Sequence, residues 1–346
     1  MGTKDIRYLG KTFKTSLSKP LTDEEYQSIV KYINTFPDKE AAKKELVKVK
    51  KGGVKMSDIT GHYFLKLMYD ARNGQDAWSI NEALQSKEVM EYFNAKISVN
   101  DKVFPPEVEL GERIKTAFRL CGIRCCRKLP QFPLKTINSL LKTYTHPGDN
   151  YYDFSCGWGA RALGALVNDV NYFGTDPNLQ LVNKIQEMKE DYDEVNHTSH
   201  KMDIRPIGSE VFIPEWEGRM DFIFSSPPYF ALEIYKSENQ SYKDGMTYQE
   251  WLDSWMFPTV QNVHKYLKDD GTFAINVKDL VFEKKEYPLE KDTVELIESN
   301  GFELIDVLTL KNTARTFGSK HWEKHTTGIS KKADENIFVF SKRKTC

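Results

Sequence analysis

The apolar positions of this 346-residue chain change their period near residue 129. Before that point they recur every three or four residues, the spacing of one helix face. Thr22 followed by Glu25 reads as a capping box, and Tyr26, Ile29, Val30 and Ile33 would share a face of the helix it opens. Pro37 ends that segment. Residues 38–51 read as a second helix, halted by Gly52 and Gly53. Ser57 or Asp58 caps a third, carrying Tyr63, Phe64, Leu67 and Met68, and a fourth starts at Ser79. Residues 1–20 are polar and basic and read as partly extended. Residues 95–130 are transitional: a linker at Phe104-Pro105-Pro106, a helix over 107–120, then the basic run GIRCCRK.

From Leu129 short apolar runs alternate with helical segments. Strands are expected at 151–154, 172–174, 200–203, 222–224 and 271–277, with two closing strands at 302–310 and 336–341. The helices between them are expected at 133–144, from the glycine turn to 167, at 179–192, 248–267 and 289–300. Alternation of this kind predicts an α/β domain with a Rossmann-like sheet over residues 129–346, preceded by a mostly helical accessory domain over 1–128.

Charge divides the chain the same way. Residues 1–130 hold 24 Lys and Arg against 17 Asp and Glu, a balance of +7, and the remainder holds 25 against 33, a balance of −8. The basic half is therefore the candidate nucleic-acid face. The Lys-rich run from Lys43 to Lys55 is its densest part, with a plain solvated helix surface as the alternative. No apolar run reaches the roughly 18 residues of a membrane span. The N-terminus lacks an apolar leader, and Ile6 stands where a myristoylation signal has Ser or Thr. Five irregularly spaced cysteines suit a reducing, cytoplasmic compartment. Cys121, Cys125 and Cys126 lack a second ligand pair at finger spacing, so no metal is expected.

Two stretches carry the chemistry. In DFSCGWGARALGA a strand ends at Asp153, and Gly157 and Gly159 permit a tight turn into a helix, where backbone can approach a ligand closely. The next strand ends at Asp176, where an acid accepts bonds from ribose hydroxyls or else caps the following helix. Asp203 falls near the expected end of the third strand, as a candidate acceptor for an adenine amino group or a surface acid. The second stretch is DFIFSSPPY. Two prolines stop the strand and leave Ser226-Pro227-Pro228-Tyr229 at its end.

The pairing of D-x-x-x-G-x-G with SPPY, in that order, resembles the amino-methyltransferases that methylate exocyclic amines of cytosine or adenine. The flanking segments FPLKTINSLLKTYTHPGDNYYDF, GFELIDVLTLKN and IFVFSK also resemble that family, over about residues 130–343. GWGAR, TDPN and SPPYFALEIY also resemble methylase-like proteins of phages. The resemblance implies a class I methyltransferase sheet, S-adenosylmethionine as cofactor and DNA as partner. Serine in the first motif position leans toward cytosine N4 over adenine N6. Carried over by position, the resemblance makes Ser226, Pro227, Pro228 and Tyr229 catalytic. It puts Pro133, Asp153, Ser155, Cys156, Gly157, Gly159, Asp176 and Asp203 around the cofactor. Beyond the motif, Phe230 or Tyr235 is a candidate to stack on the base, and Arg315, in a glycine-containing loop between the closing strands, is a candidate phosphate contact or a solvated charge. The family's Pro-Phe after the first aspartate is here Phe154-Ser155. The short span between the motifs holds no large recognition insert, which leaves reading of the substrate to the N-terminal region. Rival readings are an RNA-base or protein-glutamine methyltransferase, a nicotinamide-dependent oxidoreductase, and a nucleic-acid-binding protein with a lapsed site.

Overall fold

The computed structural model describes residues 4–74, 77–99, 103–120, 122–123, 126–127, 129–235, 239–282, 285–310 and 335–344. The chain divides into two compact units. One comprises Met1–Lys48, Lys55–Pro130 and Leu232–Lys236; the other comprises Val49–Val54, Gln131–Ala231 and Ser237–Cys346.

The first unit is mostly helical. Thr22 and Glu25 form the reciprocal capping box that opens the helix Asp23–Ile33, and its apolar face buries Ile29 and Ile33. The helices Lys87–Ile97 and Leu110–Leu120 bring Phe93 and Phe118 together at 4.3 Å between ring centroids. The N-terminus, expected as partly extended, is a β-hairpin, Lys4–Tyr8 on Lys11–Thr15 with Ile6 opposite Phe13. Its turn puts Leu9 at φ 49 and Gly10 at φ 73, the left-handed pair a two-residue hairpin needs, although Leu is a poor residue for it. In addition, Arg72–Asn73 pairs with Glu233–Ile234, a strand drawn from far along the chain.

The second unit is built on a seven-stranded sheet. Its strands are β1 (Asn150–Asp153), β2 (Asn171–Thr175), β3 (Met202–Arg205), β4 (Met220–Ser225), β5 (Leu267–Val277), β6 (Phe302–Leu310) and β7 (Glu335–Lys342). They lie in the order β6-β7-β5-β4-β1-β2-β3. All are parallel except β7, which runs antiparallel to both β5 and β6. The central strands are apolar on both faces, as a helix-covered parallel sheet requires. Tyr151, Tyr152, Phe173, Phe222, Ile223 and Phe224 are all buried. The helices include α1 (Leu134–Tyr144), α2 (Ala160–Val167), α3 (Leu179–Asn196), α4 (Phe257–Tyr266) and α5 (Leu289–Ser299).

The third strand begins two residues later than the spacing predicts and ends at Arg205, so Asp203 lies within it. The segment expected as one helix over 248–267 is interrupted. A wider turn at Leu252–Met256 separates Tyr248–Trp251 from α4, next to Pro258, which has no N–H to continue the ladder. Among the described residues no helix is long and apolar enough to cross a membrane.

Candidate active site

The chain runs outward from β1 through β2 to β3, then returns to lay β4 on the other side of β1. Such a reversal, at the carboxyl ends of β1 and β4, is the place where open parallel sheets bind ligands. Both sequence motifs fall there.

The loop after β1 is tied down by a buried carboxylate. Asp153 is fully buried and accepts four hydrogen bonds. Its Oδ2 takes Arg161 Nε at 2.8 Å and the Tyr172 hydroxyl at 2.9 Å; its Oδ1 takes the Ser225 hydroxyl at 2.8 Å and the Ser155 amide at 3.3 Å. Arg161, the second residue of α2, also donates from Nη2 to the Ser155 carbonyl. Burial works against the Arg161 charge, and the adjacent Asp153 carboxylate more than offsets it. Asp153 was expected to hold the cofactor. With its acceptor sites filled by protein donors, it shapes the loop that would do so.

The glycines meet the expectation of backbone freedom. Gly157 has φ 57 and Gly159 has φ 71, both left-handed, and Gly159 is the N-cap of α2. A side chain at Gly157 would also sit 3.2 Å from Arg161 Nη2. Gln131 Nε2 donates to the Trp158 carbonyl at 3.1 Å and braces the same loop. Pro133 is exposed and caps α1. Cys156 turns its side chain inward. Its thiol is buried, lies 3.4 Å from the Thr175 carbonyl, and is pushed well up by burial. Gly174 makes room for it, since a Cβ there would lie 2.6 Å from the sulfur. The Cys156 backbone amide reaches the same Thr175 carbonyl, at 3.4 Å.

Asp176, just past the end of β2, is the one carboxylate at these strand ends that protein donors leave short among the described residues. Burial pushes its carboxyl up to about 7, while backbone amides of Asn178 and Gly157 pull the other way. The Asn178 amide lies 3.0 Å from Oδ1. Asp203 is held by Arg205 through two bonds, of 2.7 and 3.1 Å, and accepts from Trp216 Nε1 at 3.2 Å. The expected adenine acceptor is therefore already engaged.

The second motif begins where β4 ends. The Ser155 hydroxyl lies 2.7 Å from Ser225 Oγ and 3.1 Å from the Ser226 carbonyl. Since Ser225 gives its proton to Asp153, the single Ser155 proton is shared between those two oxygens. The chain Asp153–Ser225–Ser155–Ser226 thus stitches the glycine loop to the tetrapeptide. Ser226 Oγ lies 3.3 Å from Asn276 Oδ1, at the end of β5. The Pro227 carbonyl takes no hydrogen bond from any described residue. Pro228 and Tyr229 are half-buried.

Phe230, expected to stack on the substrate, is instead 2% exposed. Tyr242, Tyr248, Trp251, Phe282 and Tyr287 surround it, with ring centroids 5.2 to 6.0 Å away. Its φ of 40 is left-handed, a strained choice for a bulky residue that this packing sustains. Tyr235 falls in the segment that belongs to the first unit. Arg315, Cys121 and Cys125 lie outside the described residues. Among the described residues no cluster of His, Cys, Asp and Glu is arranged to hold a metal.

Sequence reasoning missed Arg161, Ser225, Gln131 and Asn276. Asn276 left a visible signal, an amide among the apolar residues of TFAINV.

No curated protein gives a significant match to the sequence. Among solved structures, a TehB-like SAM-dependent methyltransferase from Corynebacterium glutamicum is 18% identical, with a TM-score of 0.37, over 60% of this chain and 87% of that one. The cyclopropane synthase MmaA2 from Mycobacterium tuberculosis is 17% identical, with a TM-score of 0.42, over 60% and 84%. A Burkholderia thailandensis 1,6-didemethyltoxoflavin-N1-methyltransferase bound to S-adenosylhomocysteine is 12% identical, with a TM-score of 0.38, over 61% and 78%. These likenesses are loose, and the fold assignment rests on the strand order. Residues 220–346, which begin at β4 and include the tetrapeptide, match the family model described as DNA methylase. The sheet, with its order β6-β7-β5-β4-β1-β2-β3 and antiparallel β7, is of the Rossmann-like class I type, and residues 220–346 are similar to the DNA methylase family.

Proposed function

We propose that the protein methylates an exocyclic amino group of a nucleic-acid base in DNA, cytosine N4 ahead of adenine N6. The observation that carries this reading is the bond from Ser155 to the Ser226 carbonyl, 3.1 Å, which joins a glycine-rich cofactor loop to an SPPY strand end. A plain strand-ending turn has no reason to be fastened to such a loop.

The residues present fit the cofactor. Left-handed Gly157 and Gly159 bring bare backbone to the end of β1, and Asp176 keeps acceptor capacity for ribose hydroxyls. The Ser155 and Cys156 backbone would line the methionine side, with Pro133 and Asp203 at the margins. When bound, S-adenosylmethionine supplies an electrophilic methyl group, which passes to the amine nitrogen as the carbon–sulfur bond breaks.

The protein's own task is to make a poor nucleophile attack. The lone pair of an exocyclic amine is delocalised into its ring. Ser226 Oγ and the Pro227 carbonyl accept the two amino protons and draw the nitrogen toward a tetrahedral shape. Pro228 keeps that carbonyl in place, so the acceptors are preorganised. Tyr229 offers a ring face for the base to stack on, and a base in a duplex must be flipped out to reach it. No strong general base is needed, because the nitrogen proton becomes acidic once the methyl has transferred. The basic N-terminal unit is the element proposed to grip the phosphates.

Transfer of labelled methyl groups to duplex DNA, followed by nucleoside analysis, tests the reading. N4-methylcytosine is the expected product. N6-methyladenine would reassign the base, and label in RNA or in glutamine peptides would reassign the substrate. No label in any of them would overturn the proposal.

A further inference from the structure

Ser226 carries a hydroxyl, which both donates and accepts, so its usefulness depends on where its proton points. We propose that Asn276 is a positioning residue that turns the Ser226 proton away from the substrate and thereby makes the site select an amine rather than a ring nitrogen. This rests on the methyltransferase reading above and deepens it.

The argument is one of donor and acceptor identity. Asn276 is 1% exposed near the end of β5, among apolar neighbours. Its Nδ2 lies 2.9 Å from the backbone carbonyl of Asn336. A carbonyl only accepts, so the amino end of the Asn276 amide must face Asn336. That carbonyl is itself held in place, because the Asn336 side chain bonds Glu290 Oε2 at 3.1 Å and the Thr309 hydroxyl at 3.3 Å. The amide oxygen of Asn276 is thereby left facing Ser226 Oγ, at 3.3 Å. An amide oxygen cannot donate, so the Ser226 proton goes to Asn276. The separation is long for this kind of bond.

With its proton committed, Ser226 Oγ presents lone pairs to the substrate. An incoming N–H meets an acceptor. A ring nitrogen or a carbonyl oxygen would meet lone pair against lone pair and be rejected. Because an amide does not titrate in the working range, this polarity does not change with pH. A carboxylate at the same position would keep an acceptor toward Ser226 but would set oxygen against the Asn336 carbonyl.

That last point supplies the test, made on the full-length protein with kcat, cofactor Kd, melting temperature and the crystallographic rotamer of Ser226 as readouts. Asn276→Ala should lower kcat by up to about a hundredfold, the lower end of what removing one preorganised polar group costs, with the cofactor Kd unchanged within about twofold. In a Ser226→Ala background the same change should cost nothing further. Asn276→Asp should remain more active than Asn276→Ala while melting at a lower temperature. Ser226 should occupy one rotamer in the wild type and in Asn276→Asp, and several in Asn276→Ala. Activity that simply follows melting temperature, losses that multiply in the double variant, or an unchanged rotamer in Asn276→Ala would each overturn the proposal. Should Asn276→Ala fail to fold, Asn276→Leu is closer in volume and carries the same expectations. A wild-type protein that methylates no substrate overturns the underlying reading, and the rotamer still judges Asn276.

Discussion

The ends of β1 and β4 lie side by side and are built by opposite rules. At the end of β1 the buried carboxylate is fully engaged. Asp153 accepts from Arg161, Tyr172, Ser225 and Ser155, and the pair Asp153–Arg161 is buried on both sides. At the end of β4, Ser226 Oγ has one long bond to Asn276, and the Pro227 carbonyl has none among the described residues. One end is over-determined and holds a shape; the other keeps its acceptors in reserve. The contrast teaches how rigidity and reactivity are divided. A loop that must present backbone to a cofactor needs a fixed conformation, while a group that must bind a reacting amine needs unspent hydrogen-bonding capacity.

The contrast breaks most visibly at Asp153. Asp153→Ala leaves the Arg161 guanidinium buried without its partner and should destabilise the fold by about 3–5 kcal/mol, measured by denaturant unfolding. Ser226→Ala should do the reverse. Stability should hold within about 1 kcal/mol, while kcat falls by about a hundredfold or more at an unchanged cofactor Kd. Equal losses in turnover and cofactor binding would remove Ser226 from its proposed role.

A smaller effect is expected at the glycine loop. Gly157→Ala forces a Cβ into a left-handed backbone beside Arg161, for about 1–2 kcal/mol of destabilisation and weaker cofactor binding, with kcat at saturation little changed. The gentlest probe is pH. Burial raises the Asp176 carboxyl to about 7, so the folded protein keeps a proton there that the unfolded chain, with its ordinary value of 3.8, gives up earlier. This group's contribution to stability therefore falls as pH rises from about 4 toward 7. Cofactor binding should run the other way. Ribose hydroxyls need the ionised acceptor, so affinity should rise with pH by up to about tenfold per unit below 7 and flatten above it. Titration of S-adenosylmethionine between pH 6 and 8 checks this, and Asp176→Asn should flatten the profile.

Much of this was legible along the chain. The capping box at Thr22, the strand ending at Asp153 and the proline stop at Pro227 are local signals, set by neighbours a few residues away. The strand pair Arg72–Asn73 with Glu233–Ile234 was not legible, because two residues from each side carry no period. Phe230 was misread for a related reason. An aromatic residue after SPPY looks like a stacking platform until the rings of Tyr242, Tyr248, Trp251, Phe282 and Tyr287 close around it.

The sequence by itself determined the alternation of strands and helices and the two motifs at strand ends, because hydrophobic period, glycine freedom and proline's missing N–H act within a few residues. Tertiary structure alone decided what each polar group would do. Asp153 became a brace, Asp203 a partner of Arg205, and Ser226 a neighbour of Asn276, since the donors that satisfy a buried acceptor come from strands adjacent in space and distant in the chain.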